Sequence, residues 1–123
     1  MCIFVKKVKM RSIIENAWEN RSLLADKITI EAIEHVIEEL DKGIIRVAEP
    51  TDTGEWITNE WVKKAVILYF PIRQMETIEV GPFEFHDKML LKKGYKELGV
   101  RVVPHAVAPP IYELESGSPL RLT

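Results

Sequence analysis

The sequence predicts a mainly α-helical fold, a small three-helix domain followed by short extended segments. Three observations carry this. Apolar residues recur at helical spacing in three stretches between Met10 and Ile72. Capping residues, glycine and proline punctuate the ends of those stretches. Beyond Arg73 the pattern changes to short extended runs with a Gly-Pro break. With 123 residues, 46% hydrophobic and 29% charged, the chain has the size and balance of one soluble domain with a modest core.

The elements follow in order. Residues 1–9, "MCIFVKKVK", precede the clear helical patterning and read as an appended arm. In "SIIENAWENR", Ser12 and Glu15 have the spacing of a capping box, and Ile14, Ala17 and Trp18 share one helical face. In "TIEAIEHVIEELDKG", Ile33, Val36, Ile37 and Leu40 form an apolar stripe opposite glutamates, and Gly43 stands where a helix stops. "IIRVAEPTDTGEWIT" reads as a short hairpin or a loop with extended arms. The third helix lies in "TNEWVKKAVILYFPI", with Thr58 or Asn59 as cap, Glu60 in the first turn and Pro71 as stop. Its apolar residues wrap nearly all round, which predicts a largely buried helix. The helical domain is thus placed at residues 10–72, with an extended connector at residues 73–108 holding one or two short strands and a strand at "VRVV". Residues 109–123, with two successive prolines and Ser-Gly-Ser-Pro, read as an atypical, disordered tail.

Composition narrows the function. A formal charge of -2 supplies no basic field for nucleic acid or anionic lipid. The apolar N-terminal patch is too short to span a membrane and has the wrong charge order for a secretory signal. One cysteine, Cys2, makes neither an internal disulfide nor a zinc site, so a reduced, cytoplasmic location is expected. Phosphate-binding glycine loops, GxSxG, HExxH and paired CxxC motifs are all missing.

The remaining candidates stand singly. His35 sits among Glu34, Glu38 and Glu39, where a surface histidine in an acidic neighbourhood is the simpler reading than a catalytic or metal role. His86 and Asp87 resemble half of an acid/base pair, but adjacent residues of an extended segment face opposite ways. His105 follows a proline and would matter only with more structure after it. Trp18, Trp56 and Trp61 suit a small core better than a ligand platform, and Lys63 and Lys64 read as a solvated helix edge. Arg101 differs. It stands alone among Val100, Val102 and Val103, and a guanidinium in aliphatic surroundings needs an acidic partner. An internal acid and a substrate carboxylate fit its planar fork equally well.

Four blocks, "IIENAWENR", "VIEELDKGIIRVAE", "EWITNEWVKKAVILYF" and "GVRVVPHAVA", resemble the N-terminal portion of tetrahydrodipicolinate N-succinyltransferase. The resemblance runs from about Arg11 to Ala108, and its most specific pieces are RVAE (Arg46–Glu49), the run from Trp61 and RVVP (Arg101–Pro104). It implies a homotrimeric acyltransferase of lysine and diaminopimelate biosynthesis, with a helical N-terminal domain and a left-handed parallel β-helix. That enzyme moves succinyl from succinyl-CoA, a co-substrate and not a tightly bound cofactor, to the amino group of a ring-opened dicarboxylate. The resemblance also implies that Arg101 binds a substrate carboxylate, and that the acid completing the site lies in the β-helix. After Ala108 no six-residue period is visible. The β-helix is therefore expected to be absent and the chain to be inactive alone. The alternative is a stand-alone, non-enzymatic helical module that docks to a partner protein through its apolar third helix.

Overall fold

A computed structural model describes residues 3–104 and residue 106, with side chains from Lys6 onward. Three helices form the core: α1 (Ile3–Glu19), α2 (Lys27–Asp41) and α3 (Glu60–Ile72). A 3-10 turn, Arg21–Ala25, joins the first two, and two antiparallel hairpins follow, β1 (Ala48–Pro50) with β2 (Trp56–Thr58) and β3 (Glu76–Val80) with β4 (Phe83–Asp87). The mainly α class is as the sequence predicts, and no coil of a β-helix occurs among the described residues.

The first helix starts earlier than its pattern suggests. The described part of residues 1–9 is not a separate arm but the opening turns of α1, so Ser12 lies mid-helix and caps nothing. The buried face of the helix is formed by Met10, Ile14 and Ala17 at i, i+4 and i+7, with the opening turns carrying no buried side chain among those described. Lys6 reaches across to Glu39 of α2 at 3.9 Å, so the lysines decorate a helix rather than a tail.

Residue chemistry sets the α2 boundaries closely. Asp26 Oδ2 accepts from the Thr29 amide at 3.3 Å, closing the N-terminus. At the other end Gly43 has φ of 68°, its amide donates to Leu40 O at 3.1 Å, and the Ile44 amide donates to Glu39 O at 2.9 Å. This pair of bonds is a Schellman motif, which a residue with a Cβ would strain. Between these caps the predicted stripe Ile33, Val36, Ile37 and Leu40 is buried.

Helix α3 completes the core with Trp61, Val62, Ala65, Leu68 and Tyr69, while Ile67 and Phe70 remain exposed on its outer side. It is therefore buried on one side only, against the expectation of near-complete burial. The helix runs one residue past Pro71, because a proline in the last turn forfeits a single amide bond. Asn59 precedes it but makes no side-chain cap. Instead its Nδ2 donates to Arg46 O at 2.7 Å and its amide to Val47 O at 2.7 Å, tying the base of the first hairpin to the helix. Asn59→Ala is expected to destabilise the domain by about 1 kcal/mol, the ordinary loss for one such bond, as read by urea denaturation.

The second hairpin turns through two residues, Gly81 at φ 56° and Pro82. A positive φ followed by proline's fixed negative φ is the pattern of a type II′ turn. Ile78 opposes Phe85 and Val80 opposes Phe83 on one face, whereas Thr77 opposes His86 and Glu79 opposes Glu84 on the other. The chain then returns through Met89, which is buried in the core.

"VRVV" is not a strand. Val100–Val103 is coil after a turn at residues 95–99, and Arg101 is exposed. Its β-branched residues favour extended backbone, but a strand exists only with a ladder partner, and none of the described residues supplies one. His105, Cys2 and the predicted tail at residues 109–123 lie outside the described residues.

Candidate functional site

Arg101 follows the turn in which the Leu98 amide donates to Gly94 O at 3.1 Å and the Val100 amide to Tyr95 O at 2.9 Å. The expected embedding in aliphatic surroundings is not found: Arg101 and Val103 are exposed and only Val100 and Val102 are half-buried. No ion pair occupies the guanidinium among the described residues. The internal-acid alternative thus finds no partner among the described residues.

The other candidates are absorbed by structure. His35 Nε2 lies 3.0 Å from Glu39 Oε1 without the alignment of a hydrogen bond, so this buried nitrogen stays unsatisfied, and Nδ1 is 3.8 Å from Glu38. His86 Nδ1 pairs with Thr77 Oγ1 at 2.9 Å across the second hairpin, on the face opposite Asp87. No group of three or more His, Cys, Asp or Glu able to hold a metal occurs among the described residues. Lys64 binds Glu15 of α1 and lies 5.6 Å from the Trp18 ring centroid, with Arg21 stacked over the same ring at 4.5 Å. That cluster clasps α1 to α3. Trp61 is in the core, but Trp56 is 70% exposed on β2, so the three tryptophans form neither one core nor one platform.

A cleft of about 770 Å³ opens between the C-terminal end of α2 and residues 91–98, lined by Lys42, Arg46, Lys92 and Lys93 with Asp41 and Glu97. Lys92, only 7% exposed along its side chain, pairs with the Asp41 carboxylate and donates to Asp41 O at 3.3 Å. A cation here offsets the negative end of the α2 dipole. Lys42 pairs with Glu38, and their hydrogen bond, ahead of plain charge attraction, lowers the Glu38 carboxyl and raises the Lys42 ammonium. Both groups are exposed, and the Glu38 contribution is present above the ordinary carboxylate range and lost as pH falls through its lowered value. Sequence reasoning missed this cleft because its walls lie some fifty residues apart in the chain, the separation of Asp41 from Lys92. Its visible signals were the Lys92–Lys93 pair and Arg46 of RVAE.

The sequence profile described as Tetrahydrodipicolinate N-succinyltransferase N-terminal matches residues 9–72, more than half of the chain. The chain belongs to the tetrahydrodipicolinate N-succinyltransferase family. It is similar to the 2,3,4,5-tetrahydropyridine-2,6-dicarboxylate N-succinyltransferase of Paracidovorax citrulli, 44% identical over 110 residues, covering 81% of this chain and 40% of the relative. The enzyme of the same name from Acidovorax sp. is 40% identical over the same coverage. That of Pseudoalteromonas translucida is 40% identical over 109 residues, 80% of this chain and 39% of the relative. The chain therefore spans about two-fifths of the length of these curated N-succinyltransferases. No helix among the described residues is long and apolar enough to cross a membrane.

Proposed function

We propose that this chain is the N-terminal part of an N-succinyltransferase that transfers succinyl from succinyl-CoA to the amino group of ring-opened tetrahydrodipicolinate, and that Arg101 holds a substrate carboxylate. The supporting observation is Arg101 itself, an exposed guanidinium with no ion pair among the described residues, in the RVVP segment of a chain similar to enzymes of that name. A planar guanidinium meets a carboxylate through two parallel hydrogen bonds. Acyl transfer further needs a base to free the amine and a dry groove for the thioester arm. Neither is assembled around Arg101 by the described residues, so the chain is expected to be inactive alone and to act within a longer, trimeric, cytoplasmic enzyme.

Mixing the purified chain with succinyl-CoA and tetrahydrodipicolinate should release no thiol above background. A chimera joining residues 1–106 to the remaining part of the Paracidovorax citrulli relative should release it. Arg101→Ala in that chimera should lower kcat/KM by about 100-fold, the loss expected when a charge-assisted bidentate pair is removed. Turnover by the chain alone, or an Arg101→Ala chimera with unchanged kinetics, sinks this reading. The exposed Ile67 and Phe70 on α3 favour one second reading, a non-enzymatic module that docks to a partner through this helix. It takes precedence if a folded chimera fails to turn over.

A further inference from the structure

A second, smaller cleft of about 230 Å³ lies between α2, the end of α3 and Leu90. Glu34, Glu38 and Asp41 face it from α2 at i, i+4 and i+7 spacing, and Tyr69 and Arg73 face it from the other side. Two of the three acids are already neutralised, Glu38 by Lys42 and Asp41 by Lys92. Glu34 has no ion pair among the described residues.

Tyr69 supplies the independent observation. The residue is 3% exposed, yet its hydroxyl makes no hydrogen bond among the described residues. The ring is buried in the core, and a phenol hydroxyl at the edge of such a ring remains free to donate to a partner outside it. The hydroxyl keeps some open surface, and Tyr69 lines this cleft. Burial raises the Tyr69 pKa, and the charges of Glu34 and Glu76 push it the same way against Arg73, so the group stays a protonated donor. Arg73 stacks over the Tyr69 ring at 5.8 Å, spends Nε on Lys88 O at 3.2 Å, and approaches Glu76 only to 3.8 Å. The guanidinium therefore retains N–H groups for another acceptor.

What the cleft leaves unmatched is one carboxylate, one phenolic donor and part of one guanidinium, beside the apolar side chains of Ile37 and Leu90. This pattern is complementary to a molecule carrying both charges. The volume is below the roughly 300–1,000 Å³ that holds drug-sized ligands, which limits the occupant to about amino-acid size. We propose that the cleft binds a small α-amino acid zwitterion, its ammonium on Glu34 and its carboxylate between Arg73 and the Tyr69 hydroxyl. This site does not depend on the role of Arg101.

The test is an NMR titration of the ¹⁵N-labelled chain with glycine and L-leucine, and with two truncated probes, 4-methylpentanoate without the ammonium and 3-methylbutylamine without the carboxylate. L-leucine should give saturable shifts around Glu34, Tyr69 and Arg73 with Kd on the order of 1 mM, and each truncated probe should bind about tenfold more weakly. Glycine should bind more weakly than L-leucine, having no side chain for Ile37 and Leu90. Glu34→Gln and Tyr69→Phe should each weaken L-leucine about five- to tenfold, the usual loss for one polar contact. Neither should disturb the fold, since Glu34 is exposed and the hydroxyl has no internal bond to lose. The proposal fails if neither amino acid gives saturable shifts up to about 20 mM, a range well above the expected Kd. It also fails if either truncated probe binds as well as L-leucine, or if Glu34→Gln leaves binding unchanged.

Discussion

Leu68→Ala is expected to lower the stability of the domain by about 3 kcal/mol, within the range for emptying a fully buried leucine site. Leu68 has no exposed surface and lies on the face of α3 that meets both α1 and α2. Its neighbours in the core, Ile14, Ile33, Val36 and Val62, come from all three helices, so the space left by three carbons cannot be refilled by moving one helix alone. Because a domain of this size has a total stability of only about 5–15 kcal/mol, the loss should drop Tm by on the order of 15 °C. Leu68→Met, which keeps the volume, should cost less than about 1.5 kcal/mol. Thermal unfolding followed by circular dichroism distinguishes these outcomes, and a Leu68→Ala variant within about 1 kcal/mol of the parent would contradict the packing described here.

Lys92→Met is expected to cost about 2 kcal/mol, between the small value of an exposed ion pair and the 3–5 kcal/mol of breaking a buried one. The lysine is nearly buried while Asp41 is 38% exposed along its side chain, so water compensates the abandoned carboxylate only in part. The loss should be local as well as global. Lys92 is the polar tie between residues 91–98 and the end of α2, so amide exchange in that segment should rise more than in α2. In the double variant Asp41→Asn/Lys92→Met, about 1 kcal/mol of the loss should return, because no charge is stranded. Full additivity of the two substitutions would show that the pair is not coupled.

Legibility in the sequence follows how local each determinant is. Although the pattern does not single out its start at Lys27 behind the Asp26 cap, the body and end of helix α2 are readable, because the Ile33–Leu40 stripe and Gly43 act within one or two turns of themselves. The start of α1 is not, because Ser12 and Glu15 imitate a cap in a helix whose buried face continues back to Met10. Trp56 and the "VRVV" run show the same limit for extended structure. β propensity describes fitness for a paired, half-buried surface: Trp56 is paired with Pro50 but uncovered, and Val100–Val103 has no ladder partner among the described residues.

The sequence by itself determined the mainly α class, the core stripe of α2, the stop at Gly43, the break at Gly81-Pro82 and, through its four blocks, the family. Only the tertiary structure decided that Arg101 stands free of an ion pair among the described residues, that Lys92 closes the end of α2, and that Glu34, Tyr69 and Arg73 converge on one cleft. The physical reason is range. Capping and helical periodicity act over three or four neighbours, whereas charge pairing and cleft formation depend on which distant residues the packed core brings within a few ångströms.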